Sequence, residues 1–126
     1  MIKGRILFDV TKASRQRQKS GLARVSSCMK GELQSMLGAR FLEVVWDGRK
    51  ETFRPRLKQK DFRVEANDVF LTGELFCEFE RTGVERFLSE SPCRAYAIFH
   101  DAIPMQHPEF TWPHSVQRHP SYMKML

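Results

Sequence analysis

The sequence predicts a single α/β domain built on a mostly parallel sheet with helices on its faces. Three observations predict it. Short apolar runs recur at intervals, namely Ile6-Leu7-Phe8-Asp9-Val10, Phe41–Trp46, Asp68–Thr72 and Ala95–Phe99, as strands of a parallel sheet do. After the first run, Leu22, Val25, Met29, Leu33 and Met36 follow one another at steps of three, four, four and three, which is one face of a helix. Strands and helices therefore alternate, the order expected of parallel strands joined by crossover helices. A length of 126 residues suits one domain with one core.

Each element has local support. The first strand gives way to a polar, basic loop over Thr11–Lys19. Ser20 is placed to cap the helix that follows, and Gly38 to stop it; Gly31 inside it costs about 1 kcal/mol against alanine. The second strand ends at Asp47-Gly48, a pair that favours a hairpin, so Lys50–Arg54 is expected to return antiparallel. Residues Pro55 to Arg63 are basic with little apolar pattern and read as a surface loop. Thr82 and Glu85 form a capping-box pair, which predicts a short helix over Gly83–Ser89 with Val84, Phe87 and Leu88 inward. After the fourth strand comes a proline-rich loop, and a last helix is expected from Pro120 to Leu126.

Composition narrows the partners. Residues 1–63 hold 16 Lys and Arg against 6 Asp and Glu, whereas residues 64–126 hold 5 against 9. The positive charge gathers at Arg15, Arg17, Lys19 and Arg24 and again from Arg49 to Arg63. This asymmetry leaves nucleic acid, an anionic membrane surface and a phosphorylated substrate open as partners. No apolar run approaches the roughly 20 residues of a membrane-spanning helix, and the start Met1–Phe8 lacks the long apolar core of a secretory leader, so a cytoplasmic protein is expected. Cys28, Cys77 and Cys93 are odd in number and widely spaced, which fits buried thiols better than a disulfide framework or zinc site. His107, His114 and His119 stand on proline-broken backbone at spacings unsuited to a helical metal site, so no metal is expected.

Three loops fall where a parallel sheet places chemistry, at the carboxyl ends of strands: those after Val10, Thr72 and Phe99. Ser20-Gly21-Leu22-Ala23-Arg24 opens a helix, where free backbone N–H groups favour an anion and Gly21 admits close approach. It lacks both the G-x-G-x-x-G pattern and the Walker lysine, and a plain helix start reads equally well. His100-Asp101 directly follows the fourth strand; a histidine there can donate to a hydroxyl or phosphate or exchange a proton. The plainer reading is that Asp101 caps the next turn and His100 fills a half-buried gap.

Taken together, Ile6–Val10, Ser20-Gly21-Leu22-Ala23-Arg24-Val25 and His100-Asp101-Ala102-Ile103-Pro104-Met105-Gln106-His107-Pro108-Glu109 resemble the amino-terminal domain of family 4 glycosyltransferases. That family opens with a strand and a Ser/Thr-Gly-Ile/Leu-Gly-Arg helix start, and later carries a His-Asp-x-x-Pro-x-x-His-Pro-Glu stretch. The resemblance runs from Ile6 to about Trp112 and is weakest over residues 47–63. Ala23 stands where the family has its second glycine, and its methyl group would crowd a phosphate or acceptor.

The resemblance implies a Rossmann-like three-layer sandwich spanning residues 1–126, the partial, amino-terminal half of a GT-B fold. It implies a retaining enzyme that moves a sugar from a nucleotide-sugar donor to a glycan or lipid-linked acceptor. In such enzymes a carboxyl-terminal GT-B domain holds most of the donor, so this half is expected to bind no cofactor or metal, and to be inactive alone. Carried over by position, His100 and Asp101 are the catalytic candidates, His100 bonding the transferred sugar and Asp101 fixing the local turn. Gly21 and Arg24 are the substrate-binding candidates. A cytoplasmic location, peripheral on the membrane face, goes with lipid-linked acceptors, and nucleic acid is not expected as a partner. The competing reading is a basic nucleic-acid-binding α/β module using Arg15–Arg24 and Arg49–Arg63, although no helix-turn-helix, RNP or zinc-finger signature supports it. A receiver-like domain ranks last, since Asp9 and Asp101 do not supply its acidic cluster.

Overall fold

The structure, a computed structural model, describes residues 3–17 and 20–126. Lys19 of the basic cluster, and Met1 and Ile2 of the amino-terminal segment, lie outside the described residues. The elements are β1 (Ile6–Asp9), α1 (Gly21–Leu37), β2 (Phe41–Asp47), β3 (Thr52–Pro55), β4 (Val69–Thr72), α2 (Val84–Glu90), β5 (Arg94–Ala97), α3 (Ile103–Gln106) and α4 (Pro113–Met125). They build one five-stranded sheet in the order β3-β2-β1-β4-β5. Strands β1, β2, β4 and β5 are parallel, and β3 returns antiparallel on β2, as the Asp47-Gly48 turn predicts. The α/β reading and its mostly parallel sheet are thus present.

Alternation along each strand sends side chains to two cores. On one face Phe8, Val10 and Val45 are buried, with Met29 and Leu33 of α1 packed against them. On the other, Leu7, Val44, Trp46, Phe53 and Phe70 meet Val84, Phe87 and Leu88 of α2. Phe53 is the hub of that face, with ring centroids 4.5 Å from Phe70, 5.0 Å from Trp46 and 5.2 Å from Phe87. Tilted and edge-on pairs of this kind add about 0.5–1.5 kcal/mol each beyond burial.

Helix α1 begins and ends as its sequence predicts. The Ser20 hydroxyl accepts from Ala23 N at 3.3 Å, and Gly38, at φ +55°, returns its N–H to the Gln34 carbonyl. Helix α2 does not begin as predicted. Its N-cap is Gly83 at φ +86°, with no side-chain cap of its own. The carboxylate of Glu78 instead accepts from Gly83 N at 2.5 Å and Glu85 N at 3.0 Å. An acid five residues back thus takes the place of the Thr82–Glu85 capping box.

The carboxyl-terminal region differs most from expectation. Residues in the proline-rich loop form the short α3 and a single 3-10 turn over Pro108–Phe110. Helix α4 starts at Pro113, not Pro120, because Pro113 is pre-set for a first helical turn. Pro120 sits inside the helix, where its missing N–H weakens the backbone ladder. Tertiary bonds hold the segment on either side: His119 Nε2 donates to Asp101 O at 3.0 Å, and Tyr122 Oη donates to Ile98 O at 2.9 Å. Met125 reaches the aromatic core. Strand β5 is exposed at all four residues, so it is a bare sheet edge. Cys77 and Cys93 are buried as expected, but Cys28 is exposed on α1.

Candidate functional site

The strand order reverses direction beside β1: the chain moves from β1 to β2 on one side and later returns to β4 on the other. Loops leaving the carboxyl ends of β1 and β4 therefore diverge and leave a crevice. It has a volume of about 450 Å³. Lys12, Ala13, Arg15 and Gln16 line it from the loop after β1, and Gly73, Glu74 and Leu75 from the loop after β4. Ser20, Leu22, Ala23 and Ser26 of the α1 start form one wall, and His114 and Arg118 of α4 another.

A buried ionic cluster fixes both loops. Asp9, at the end of β1, accepts from Thr11 N at 3.0 Å and Thr11 Oγ1 at 2.7 Å through one oxygen. Its other oxygen accepts from Thr72 Oγ1 at 2.9 Å and Arg81 Nη1 at 2.7 Å. Arg81 also donates to Glu74 Oε2 at 2.5 Å and lies 3.9 Å over the Phe76 ring. Glu74 in turn accepts from Lys12 N and Ala13 N at 2.8 and 2.9 Å. Every oxygen of the two buried carboxylates is thus bonded, and the first crevice loop is held by backbone N–H groups. Burial and the nearby Asp9 carboxylate push the Glu74 carboxyl up, against the pull of those N–H groups and Arg81.

The cations at the crevice are not equivalent. Lys12 Nζ reaches Glu80 at 3.2 Å and the Leu75 carbonyl, and Arg118 reaches Glu80 at 3.3 Å. Burial pulls the Lys12 amine down, and Glu80 opposes that. Among the described residues no ion pair engages Arg15, whose charge is available to a ligand. A second hollow of about 480 Å³ lies across the same loop, lined by Thr11, Arg15, Trp46 and Arg81. Trp46 Nε1 there is a buried polar atom without a partner among the described residues.

None of the four residues singled out from sequence, Gly21, Arg24, His100 and Asp101, is among those lining the crevice. His100 Nε2 donates to Gly73 O at 2.9 Å, so the histidine is tied to the crevice's β4 loop. No described residue bonds its Nδ1, which is the nitrogen left for a ligand. Asp101 Oδ1 accepts from Ile103 N at 3.0 Å, fixing the turn into α3. Gly21 is exposed with open space where a side chain would stand, and Arg24 is exposed one turn on; their neighbours Leu22 and Ala23 line the crevice. His107 and Glu109 are exposed and face each other at 3.3 Å.

Sequence reasoning missed Glu74 and Arg81. The loop after Thr72 reads as a strand-end loop, but its acid Glu74, two residues past the strand, is not singled out, and the partner Arg81 belongs to a turn with no motif of its own. Gly73 was not singled out either: a methyl group there would stand 2.7 Å from Ser26 Oγ, so a side chain at this position requires that hydroxyl to move. Among the described residues no three His, Cys, Asp or Glu side chains come together as a metal site. Comparisons with protein-family models, curated protein sequences and solved structures find no match to this chain.

Proposed function

We propose that these residues form the acceptor-side half of a retaining GT-B glycosyltransferase, which transfers a sugar from a nucleotide-sugar donor to a glycan or lipid-linked acceptor. The observation that carries the reading is a convergence. The two segments that resemble the family are far apart in sequence, yet Ser20, Leu22 and Ala23 of the helix start line the crevice and His100 bonds the carbonyl of Gly73, another lining residue. A parallel sheet with its crevice beside the reversal of strand order is also the geometry such a half requires.

The chemistry asked of this half is limited. Sugar transfer with departure of a diphosphate needs charge stabilisation that develops with the oxocarbenium-like transition state. Arg15 and the amino-terminal end of α1 supply positive potential at one wall. His100, with Nε2 committed to Gly73, presents Nδ1 as a hydrogen-bond acceptor for a sugar hydroxyl when the ring is neutral. Asp101 sets the turn that holds it. The larger share of the charge belongs to a donor-side domain, so these 126 residues by themselves are expected not to turn over.

A panel of nucleotide sugars and glycans tests the reading on the purified chain. Saturable saccharide binding, weakened about tenfold by His100→Ala, without sugar transfer, is the expected result. Sugar transfer by these residues alone, or no saccharide binding at millimolar concentration, contradicts it.

A further inference from the structure

We propose that the second hollow, between the loop after β1, the β2–β3 turn and the turn before α2, binds a phosphate group through the Trp46 indole N–H, Arg15 and Thr82. It is distinct from the crevice. Trp46, Gly48, Arg81 and Thr82 line the hollow alone, whereas Lys12, Arg15 and Glu80 border both. Its walls are joined, since Glu51 of the β2–β3 turn pairs with Arg86 of α2.

A buried indole ordinarily finds an acceptor for its N–H. Trp46 is 6% exposed, and its Nε1 has no partner among the described residues. The ring is held where it is. It lies edge-on to Phe53 and Phe87 at 5.0 and 6.0 Å between centroids, and the Trp46 backbone N donates to Thr11 Oγ1 at 2.8 Å. Gly48, two residues on, leaves open space in front of the indole nitrogen. Apart from its chain neighbours, a Cβ at Gly48 would meet only Trp46 Nε1 among the described residues, at 3.9 Å.

The other donors of the hollow are uncommitted, and its acid is not. Glu78 accepts from Gly83 N and Glu85 N, which releases Thr82 from capping α2, and no described residue bonds its hydroxyl. No ion pair among the described residues engages Arg15. Glu80 is held by Lys12 and Arg118 at 3.2 and 3.3 Å, and Arg81 by Asp9 and Glu74. An indole N–H and a guanidinium only donate, so the ligand that completes this site brings acceptors and negative charge. A phosphate has an oxygen for each of the donors, and a carboxylate has too few. The inference goes beyond the glycosyltransferase reading and does not rest on it, because Trp46 and Gly48 stand outside the crevice and the probe carries no sugar.

The test follows the indole N–H resonance of Trp46 while inorganic phosphate is titrated into the full chain, with chloride at equal ionic strength and acetate as controls. The chain has two tryptophans; Trp112 is 82% exposed, and Trp112→Phe leaves Trp46 as the single indole signal. A saturable shift with phosphate is expected, with none from chloride and binding of acetate about tenfold weaker. Gly48→Ala, at a position without a positive φ, places a methyl group before the indole and should weaken phosphate about tenfold. Arg15→Ala should weaken it about tenfold and Thr82→Val about threefold, each with unchanged thermal unfolding. Lys60→Ala, which removes a cation outside the hollow, should leave binding unchanged. No shift with phosphate, an equal shift with chloride or acetate, or an equal loss in Lys60→Ala overturns the proposal. Folded Gly48→Ala or Arg15→Ala variants that bind like the parent overturn it as well.

Discussion

Arg81 and Asp9 are 72 residues apart in sequence and meet in a buried ion pair, Nη1 to Oδ2 at 2.7 Å, that ties the turn before α2 to the end of β1. Arg81 and Asp9 are both essentially removed from solvent, and Arg81 serves Glu74 as well. Removing the guanidinium leaves two carboxylates buried without their cation, a loss of about 3–5 kcal/mol. Arg81→Ala should therefore lower stability by that amount in chemical denaturation. Asp9→Asn combined with Glu74→Gln in the Arg81→Ala background should recover part of it, since the uncompensated charge is gone.

Acid sensitivity follows from Asp68. Burial pushes its carboxyl up, but Arg5 and the N–H groups of Glu65 and Arg5 outweigh that and hold it below its ordinary value of 3.8. Arg5 Nη2 and Nε approach its two oxygens at 2.7 and 3.0 Å. An acid with a depressed folded-state pKa binds fewer protons folded than unfolded, so its stabilisation is complete above 3.8 and is lost as pH falls through the lower, folded value. Denaturant midpoints measured between neutral pH and pH 2 should fall in that window. Asp68→Asn should cost about 2 kcal/mol at neutral pH and flatten the acidic limb.

Close approach at Gly73 gives a paired prediction. A methyl group there would stand 2.7 Å from Ser26 Oγ and 3.8 Å from Ser26 Cβ. Gly73→Ala should destabilise by about 1–3 kcal/mol through overpacking. Adding Ser26→Ala removes the offending oxygen and should restore most of the loss; a double variant no more stable than Gly73→Ala would show the strain lies elsewhere.

Aromatic packing around Phe53 predicts the largest core effect. Its ring is 1% exposed and sits among Trp46, Phe70 and Phe87. Phe53→Ala should cost about 3–5 kcal/mol in denaturant unfolding. This makes β3, the antiparallel edge, a full contributor to the core.

How much of this was legible in the sequence depends on the range of the interactions involved. Helix α1 was readable because Ser20, the apolar steps and Gly38 are local signals, although of the expected face only Met29 and Leu33 pack on the buried cluster while Val25 and Met36 are exposed. The Asp47-Gly48 hairpin was readable for the same reason. Helix α4 was misplaced because Pro120 outweighed, on paper, the long-range bonds of His119 and Tyr122 that keep the helix on the sheet. The Ala95–Phe99 run carried no mark that β5 would be an exposed edge, since apolar pattern reports strand formation and not what lies beside the strand. At the crevice, the helix start and His100 were visible as motifs, whereas the Asp9–Arg81–Glu74 cluster exists only once β1, β4 and the turn before α2 are brought together.

The proposed function requires a saccharide to occupy the crevice between the β1 and β4 loops. Backbone amide shifts recorded during titration with an acceptor glycan test it most directly. Saturable changes are expected at Ala13, Ala23, Gly73 and His100, reduced by His100→Ala, with residues 57–63 of the β3–β4 loop unmoved. Changes confined to other surfaces, or none at all, would contradict it.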